Sequence, residues 1–298
     1  MSSQNLEEAM LSRKKAEKKR SQFVEVMTRL RRNKVAMAAF VVIILIVGLS
    51  VFSELISPYD YAEQSVRDAF IFPCLEHPFG TDNLGRDLLS RILVGGKTSL
   101  LVAIAAICVA TVVGCGFGAT AAYFGGAYEF IVLKVMDILM AIPQFLLAVS
   151  ISAALGSGIF NTALAVGISS IPRFFRMMRA EVLTVKGKDF IEAAKALGAS
   201  DGRIVWKHVV PNSLASTIVN ISLCLGGSIM AISGLSFIGL GVQPPTPEWG
   251  SILSTGRTYL RDFWPMITFP GLAIMLTVTA FNLFGDGLRD AMDPKLKN

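Results

Sequence analysis

Residues Lys188 to Asn212 read KDFIEAAKALGASDGRIVWKHVVPN, a polar and alanine-rich stretch between two long apolar runs. The runs are Asn161–Met178 and Leu214–Gly234, and an α-helix needs about 20 mostly apolar residues to cross a bilayer. The stretch between them has the start and stop signals of two short helices joined by a glycine bend. It predicts a water-exposed element held between two membrane spans.

The composition of the whole chain indicates a membrane protein. Of its 298 residues, 53% are hydrophobic and only 17% are charged, and the mean hydropathy is +0.57. Soluble globular domains carry about 25% charged residues, so the deficit indicates that lipid is the main solvent. We therefore interpret the formal net charge of +6 through membrane topology and expect no nucleic-acid partner.

Six apolar runs predict an all-α polytopic membrane protein with six transmembrane helices. The runs are Val35–Phe52, Thr98–Ala122, Ile131–Ala154, Asn161–Met178, Leu214–Gly234 and Pro265–Phe284. Transmembrane strands are excluded because the runs are too long and lack alternation. The first run is interpreted as a permanent span, since no A-x-A-like cleavage site follows it.

Lysine and arginine set the expected orientation, because they concentrate in cytoplasmic loops. Ten lie before Val35 and eight lie in residues 173–207, whereas the segments 53–97 and 235–264 hold six together. We expect both termini and residues 188–212 in the cytoplasm and the two long loops outside. We expect the basic N-terminal tail, residues 1–34, to fix this topology and to be attracted to anionic lipid. Binding of a specific partner by the tail is the alternative.

Several patterns that resemble catalytic or cofactor sites lack an essential part. Gly96-Lys97-Thr98 lacks the first glycine of a phosphate-binding loop, because Arg91 stands in its place. The GCGFG segment, residues 114–118, lies within an apolar run and predicts close helix packing. Because no Ser-His-Asp set or HExxH motif can be assembled, we expect a chain that is not an enzyme and binds no cofactor.

The four cysteines show no CxxC or Cys/His spacing. They are Cys74, Cys108, Cys115 and Cys224. We expect buried free thiols, with neither a disulfide framework nor a metal site.

Polar and kinking residues within the predicted spans mark candidate structural or gating positions. Asp137 lies three residues after Lys134 in the third span, and the two could pair on one helix face. Asp286 stands at the end of the sixth span. Pro143 interrupts the third span, and its kink either shapes a transport cavity or only aids packing. No acidic residue lies near mid-span, which disfavours an ion-coupled carrier.

The opening stretch predicts a helix–glycine–helix elbow. Asp189 caps the first helix, and Glu192 completes a capping box three residues later. Gly198 ends this helix in a left-handed conformation. Ser200 caps the second helix, and Pro211 ends it before the fifth span begins.

The first helix of the elbow is amphipathic and has a small-residue surface. Phe190, Ala194 and Leu197 fall on one face, and Ala193 keeps the adjoining surface small. Such a face suits docking into a groove on another protein. A helix lying on lipid is the alternative, but lipid-binding helices usually carry bulky apolar residues and many cations, whereas this one has only Lys195.

The elbow closely resembles the EAA loop of the inner-membrane permeases of ABC importers, with Glu192-Ala193-Ala194, then Gly198 and Pro211. HPFGTDNLGRDLLSRILVGGKTSL (77–100), LSFIGLGVQPPTPEWG (235–250) and AFNLFGDGLRDAMDP (280–294) resemble the C-type permease of dipeptide, oligopeptide and nickel importers. His208, which we place in the last turn of the second helix beside Lys207, departs from the aliphatic residue of the general motif; we expect a structural role for it.

The resemblance implies a type I ABC importer permease fold in a prokaryotic plasma (inner) membrane. It implies a basic tail (1–34), a first span with an extracytoplasmic segment (35–96), a permease core (97–286) whose coupling helix lies in the EAA loop (188–211), and a cytoplasmic C-terminal tail (287–298). It further implies a homologous second permease, two ATPase subunits that bind ATP and Mg, and an extracytoplasmic solute-binding protein.

The two outer loops carry further expectations. Thr81 or Asp82 caps a helix through LGRDLLSRIL, which predicts an interfacial elbow leading into the second span. Five residues of the second loop are candidate contacts for the binding protein: Gln243, Pro244, Pro245, Glu248 and Trp249.

Dipeptides or oligopeptides are the solutes that the resemblance implies most strongly. A nickel chelate, glutathione or another small solute is the alternative within the same importer class. An ion-coupled secondary transporter and a non-transport membrane scaffold are the alternatives of a different class.

Overall fold

The structure is a computed structural model that describes residues 24–292. Its longer helices are α1 Lys34–Val51, α2 Leu88–Phe124, α3 Gly126–Met140, α4 Gln144–Leu155, α5 Ile159–Lys186, α6 Asp189–Ala196, α7 Val210–Phe237, α8 Trp249–Gly256 and α9 Pro265–Met292. Shorter helical turns cover Ser53–Ile56, Val66–Asp68, Asp201–Ile204, Val205–Val209 and Arg257–Tyr259. Residues 24–32 are also helical. Within this part of the chain the β structure is one isolated bridge, from Thr81 to Asp87, so the all-α prediction is confirmed.

Each predicted apolar run coincides with an observed helix or helix pair. In residues 24–292, α1, α2, α9 and the Ser216–Phe237 part of α7 are long and apolar enough to cross a membrane. The bent pair α3–α4 would make a fifth span. Helix α5 lacks this apolar character because its second half carries several arginines. Six spans therefore stays a prediction.

The third run does not form one straight helix. Helix α3 ends at Met140, α4 begins at Gln144, and their axes meet at 90°. Pro143 stands at the break as the residue before α4, where its missing amide hydrogen and fixed φ no longer disturb a helix interior. The sequence predicts a kink at this proline, and the structure shows a complete change of direction.

Helices α2 and α5 form the most extensive helix pair. A Cβ added at Gly114 would lie 2.7 Å from the Phe174 Cβ, and one at Gly118 would lie 2.6 Å from the Phe175 carbonyl oxygen. Gly167 of α5 is equally close to the Ala106 carbonyl oxygen of α2, at 2.9 Å. The prediction that the GCGFG segment serves packing is confirmed.

Helix α2 begins at Leu88, before the predicted span Thr98–Ala122, and it includes the second half of the segment predicted as a separate interfacial helix. Its N-cap is Asp87, whose Oδ2 accepts a 2.7 Å hydrogen bond from the Ser90 amide. Asp82 is 2% exposed and accepts from the Arg86 Nε at 2.6 Å instead. Thr81 or Asp82 as a cap, and a separate interfacial helix, are therefore wrong, because the buried ion pair keeps residues 81–87 in a turn.

The two outer loops pack against each other beside the start of α2. Phe70 of the first loop meets Phe263 of the second with ring centroids 5.5 Å apart. Phe79 stacks on Phe269 at the start of α9 at 4.1 Å, and the Trp249 Nε1 donates to the Ile92 carbonyl of α2 at 2.9 Å. The loops thus form one structured layer at the end of the helices where α2 begins.

The chain termini and the cysteines depart in part from the sequence predictions. Most of the predicted tail 1–34 lies outside the described residues, and residues 287–292 extend α9 where a C-terminal tail is predicted. All four cysteines are free, as predicted. Only Cys224 is buried, whereas Cys74 and Cys108 are exposed, because Cys74 lies on the loop layer and Cys108 on an outward face of α2.

Candidate functional site: the elbow and the neighbouring groove

The first helix of the elbow, residues 189–211, begins without a capping box. Lys188 is the N-cap residue and makes no side-chain cap hydrogen bond, so Asp189 is the first residue inside α6. Asp189 and Glu192 still lie in the first turn, where negative charge interacts favourably with the helix dipole. Their predicted capping roles are wrong. Both residues stabilise α6 through the interaction of their negative charges with the helix dipole.

Gly198 forms the bend as predicted. Its φ is +76°, a left-handed conformation that glycine adopts without the steric cost of a Cβ atom. The Gly198 amide donates to the Lys195 carbonyl at 2.9 Å, and the Ala199 amide donates to the Ala194 carbonyl at 3.1 Å. These bonds satisfy the last carbonyls of α6 and fix the direction of the chain.

The second helix of the elbow runs into α7 without a break. After Asp201–Ile204, the turn Val205–Val209 has π-helical hydrogen bonds, and α7 follows with Pro211 in its first turn. The π turn includes Lys207, the residue four before Pro211. In a regular α-helix the proline ring would clash with the carbonyl of that residue. Ser200 is the N-cap residue but its side chain makes no cap bond.

Two predictions for the end of this second helix are wrong. Pro211 does not end it, because the π turn relieves the clash. Lys207 and His208 do not lie in the last turn of a helix, because the helix continues into α7. The partial negative charge of a helix C-terminus is therefore not beside them. The His208 backbone carbonyl accepts a hydrogen bond from the Asn212 side chain, and the structural role of the His208 side chain stays a prediction.

The inward face of the elbow is seated on the ends of α2 and α5. Ile191 is fully buried, and it joins one apolar cluster with residues from both helices and from the second half of the elbow. The cluster comprises Ala119, Ala122, Tyr123, Met178, Val182, Val185, Ile191, Ile204, Val205 and Val209. The sequence reasoning missed Ile191, although it is the bulkiest aliphatic residue in the first turn of α6.

Polar contacts at Tyr123 attach the elbow to α2. The Tyr123 hydroxyl donates to the Asp201 Oδ1 at 2.6 Å. The Lys186 Nζ donates to the Tyr123 carbonyl at 2.6 Å, and the Lys195 Nζ lies 5.4 Å from the centre of the tyrosine ring. Cations suit this position because α2 ends there and its last carbonyls carry partial negative charge.

The outward face of the elbow carries apolar side chains. Leu197 is 87% exposed and Trp206 is 57% exposed, and Phe190 is also exposed. Ala193 is exposed, whereas Ala194 is half-buried against the apolar cluster. Phe190 and Leu197 lie on the exposed face as predicted, but Ala194 does not. Ala193 is exposed instead.

Asp137 pairs with a different helix from the one predicted. Its Oδ1 accepts from the Arg176 Nη2 of α5 at 2.8 Å, while the Lys134 Nζ lies 5.5 Å from the Phe130 ring. Glu129 makes a second link of the same kind to Arg179, at 2.6 Å. The predicted Lys134–Asp137 pair is wrong, and both acids hold α3 against α5.

Two of the five predicted binding-protein contacts are inaccessible to a partner. Glu248 is fully buried, and its Oε1 accepts from the Ser99 hydroxyl at 3.0 Å. Trp249 is 2% exposed. Glu248 also caps α8 by accepting from the Ser251 amide at 3.0 Å. These two predictions are wrong, because both side chains hold the outer loop on α2.

The other predicted site residues lie at accessible positions. Pro244 and Pro245 are exposed on the outer loop and Gln243 is half-buried. Asp286 is exposed near the end of α9, on the side of the molecule where the elbow lies.

A groove of about 480 Å³ lies between α4, α5 and α7. Its lining is mainly apolar, with a few polar side chains from the three helices. These are Gln144, Ser169, Ser170, Arg173 and Ser228. A second groove of similar size, between α7, α8 and α9, shares Met230 and Gly234 with the first.

The fold and the site define a helical membrane permease of the ABC importer class. A solved chain from inward-facing conformations of the MetNI methionine ABC transporter has the same fold, with a TM-score of 0.53 at 18% identity over 68% of this chain and 97% of that chain. The family model described as "Binding-protein-dependent transport system inner membrane component" matches residues 114–298, and the chain belongs to that family.

Two further similarities narrow the relationship. The model described as "N-terminal TM domain of oligopeptide transport permease C" matches residues 21–78. The glutathione transport system permease proteins GsiD of Escherichia coli O6:K15:H31 (strain 536 / UPEC) and Shigella boydii serotype 4 (strain Sb227) are each 42% identical over 284 residues, covering 95% of this chain and 94% of each relative.

Family membership resolves the choice between protein classes. The chain is a multi-pass inner-membrane transport component and not an enzyme. The ion-coupled carrier and the non-transport scaffold are therefore excluded, and a solute-binding protein and an ATPase are partners of the family in general.

Proposed function

We propose that this chain is one of two homologous permeases of an ATP-driven importer of small peptides. The elbow docks into a groove on one of two partner ATPases, which bind ATP and Mg. An extracytoplasmic binding protein delivers the solute to the loop layer. Both chain termini and the elbow lie in the cytoplasm, as the distribution of lysine and arginine indicates.

The single observation that carries the proposal is the two-sided elbow. Its inward face is locked to α2 and α5 through Ile191 and Tyr123. Its outward face leaves Phe190 and Leu197 exposed at i and i+7 of one helix face, the arrangement of a helix that fits a groove. Such an element transmits a push from an outside partner directly to the membrane helices.

Alternating access follows from this rigid attachment. When the two ATPases close on ATP, the elbow moves with its ATPase and carries the ends of α2 and α5 along. The second half of the elbow is continuous with α7, so α7 tilts in the same motion. The groove between α4, α5 and α7 then changes from inward to outward access.

The peptide class of the solute is supported by the two kinds of relative. The N-terminal segment matches the oligopeptide permease model, and the 42%-identical relatives are named for glutathione. Glutathione is itself a tripeptide with a γ-linkage, so both names describe peptide-like solutes with free carboxylates. The specific candidates are a dipeptide or short oligopeptide and glutathione.

The experiment substitutes matched leucines at opposite ends of the protein. Leu197→Asp places a charge on the outward face of the elbow, and Leu75→Asp places one on the outer loop, where Leu75 is fully exposed. We expect Leu197→Asp to reduce co-purification of the ATPases and ATP-dependent peptide uptake by at least about tenfold, since burying an unpaired charge in an interface costs several kcal/mol. Leu75→Asp should leave ATPase binding unchanged.

The readout is co-purification of the complex together with uptake of labelled peptides into proteoliposomes. If Leu197→Asp retained both, the elbow would not be the docking element. If the wild-type complex took up no peptide at all, the solute class would be wrong although docking could stand.

A further inference from the structure

We propose that Arg173 is a binding position for the carboxylate of the solute in transit, within the groove between α4, α5 and α7. The inference rests on the proposed import of peptides and adds a residue that selects for negative charge. It is carried by the place of Arg173 on the groove wall, by its lack of an ion-pair partner among the described residues and by the chemistry of the groove.

Arg173 lies halfway along α5. The helix has 28 residues from Ile159 to Lys186, and Arg173 lies five residues, about 8 Å, before the end of the apolar run Asn161–Met178 that predicts its span. Arg173 is therefore placed toward the predicted cytoplasmic end of that span. A charged residue placed here in a membrane protein faces the protein interior or a water-filled path, and Arg173 lines the groove.

Arg173 differs from the next two arginines of the same helix. Arg176 pairs with Asp137 at 2.8 Å, and Arg179 pairs with Glu129 at 2.6 Å. Arg173 makes no hydrogen bond or ion pair with any residue in the 24–292 range that the structure describes, and its side chain is exposed to the groove. Two of the three charges are thus neutralised by α3, and the third is left to meet whatever enters the groove.

Among the described residues, the groove lining around Arg173 supplies hydrogen-bonding groups and no acidic side chain. The Gln144 Nε2 donates to the Ser170 hydroxyl at 2.9 Å, and the Ser170 and Ser169 hydroxyls donate to the Val166 carbonyl. The rest of the lining is largely apolar and includes Phe145, Ala148 and Met230. A solute that contacts this wall therefore meets a single positive charge in a weakly polar setting.

The ligand chemistry follows from the guanidinium group. Its planar fork binds a carboxylate through two parallel hydrogen bonds, and an unpaired cation in a mainly apolar groove is stabilised by an anion that reaches it. Every peptide with a free C-terminus carries such a carboxylate, and glutathione carries two. Solutes whose only charge is positive are disfavoured at the same position.

The experiment is a charge series at position 173 in the complete importer, with its binding protein, in proteoliposomes. We expect Arg173→Gln to lower dipeptide uptake per ATP hydrolysed about tenfold, the loss of a hydrogen bond to a charged group. Arg173→Lys should restore most of the uptake, and Arg173→Glu should fall below Arg173→Gln. ATPase stimulation by the loaded binding protein should stay within about twofold throughout, since the elbow is untouched.

A matched control comes from the paired arginine one turn along α5. The double variant Arg176→Gln with Asp137→Asn removes the exposed pair together and leaves no unpaired charge. Because this pair also links α3 to α5, the control is judged by the uptake of the dipeptide relative to that of its C-terminal amide, and this ratio should stay at the wild-type value. The C-terminal amide of the dipeptide provides a second readout, because Arg173→Gln should not lower its uptake per ATP.

Two outcomes would overturn the proposal. Equal losses in the Gln, Lys and Glu variants would show that Arg173 acts through its size or packing, and unchanged uptake in all three would show that no carboxylate meets it. A wild-type complex that imports no peptide would instead contradict the proposed function, so the two failures are distinguishable.

Discussion

At the scale of single residues, the contact between α2 and α5 depends on positions that have no side chain. Gly114 and Gly118 lie against the backbone of α5, where an added Cβ would stand 2.8 Å from the Ile171 carbonyl oxygen and 2.6 Å from the Phe175 carbonyl oxygen. Backbone atoms of a long helix cannot move aside as a flexible side chain can. The separation of the two helices is therefore set by these glycines, as is common between helices in lipid.

We expect Gly118→Ala to destabilise the permease by about 1–3 kcal/mol, the usual cost of an overpacked contact. Gly116 is the matched control, because it lies in the same turn and a Cβ there meets nothing within 4 Å. Gly116→Ala should leave stability unchanged or raise it by up to about 1 kcal/mol through helix propensity. Thermal unfolding of the two variants in detergent checks the difference, and equal midpoints would contradict the close contact.

At the scale of elements, the elbow combines a fixed attachment with a fixed bend. Its attachment uses apolar packing of Ile191 and the hydrogen bond from Tyr123 to Asp201. Its bend uses the left-handed backbone of Gly198, around which an added Cβ meets nothing within 4 Å. A substitution at Gly198 therefore changes the backbone direction without creating a steric clash with other elements.

Gly198→Pro should abolish transport while the permease stays inserted in the membrane. Proline fixes φ near −65°, which is incompatible with the observed +76°, so the outward face of α6 is presented in another direction. Gly198→Asn is the control, because asparagine adopts the left-handed conformation more readily than other residues, and it should retain transport. ATP-dependent uptake and ATPase stimulation are the measurements; survival of both in Gly198→Pro would refute the elbow as a rigid connection.

At the scale of the whole molecule, the loop layer and the elbow lie at opposite ends of α2. The Trp249 side chain bonds to Ile92 near the start of the helix, and Asp201 bonds to Tyr123 near its end. Ile92 and Tyr123 are 31 residues apart on α2, which separates the two contacts by about 46 Å at 1.5 Å per residue. In the proposed function, one helix therefore connects the face to which solute is delivered with the face that docks on the ATPase.

This arrangement predicts which side each end faces. Cys74 is exposed on the loop layer, and an impermeant maleimide should label it in intact cells, since few lysines and arginines lie in that segment. With Cys74 replaced by alanine and the permease expressed without its ATPases, which would cover position 197, a cysteine introduced by Leu197→Cys should react only in inside-out vesicles. The reverse pattern would invert the topology.

Much of the fold could be predicted from local patterns. The apolar runs located every described helix of 12 or more residues, the small residues at 114–118 predicted a close helix contact, and Gly198 predicted the bend. The motifs of the EAA loop and the outer loops predicted the importer class, which the family comparison confirms. These features depend on neighbours within one or two helical turns, and such neighbours are visible in the sequence.

The sequence by itself determined that this protein is a helical membrane permease with an exposed elbow. Only the tertiary structure decided which partners its polar groups have: Asp137 pairs with Arg176, Glu248 is buried in the outer loop against α2, and Arg173 has no counter-ion within residues 24–292. The physical reason is that a charge is satisfied by whichever helix lies beside it, however distant in the chain. Hydrophobic periodicity fixes where helices form, but it does not specify which of them become neighbours.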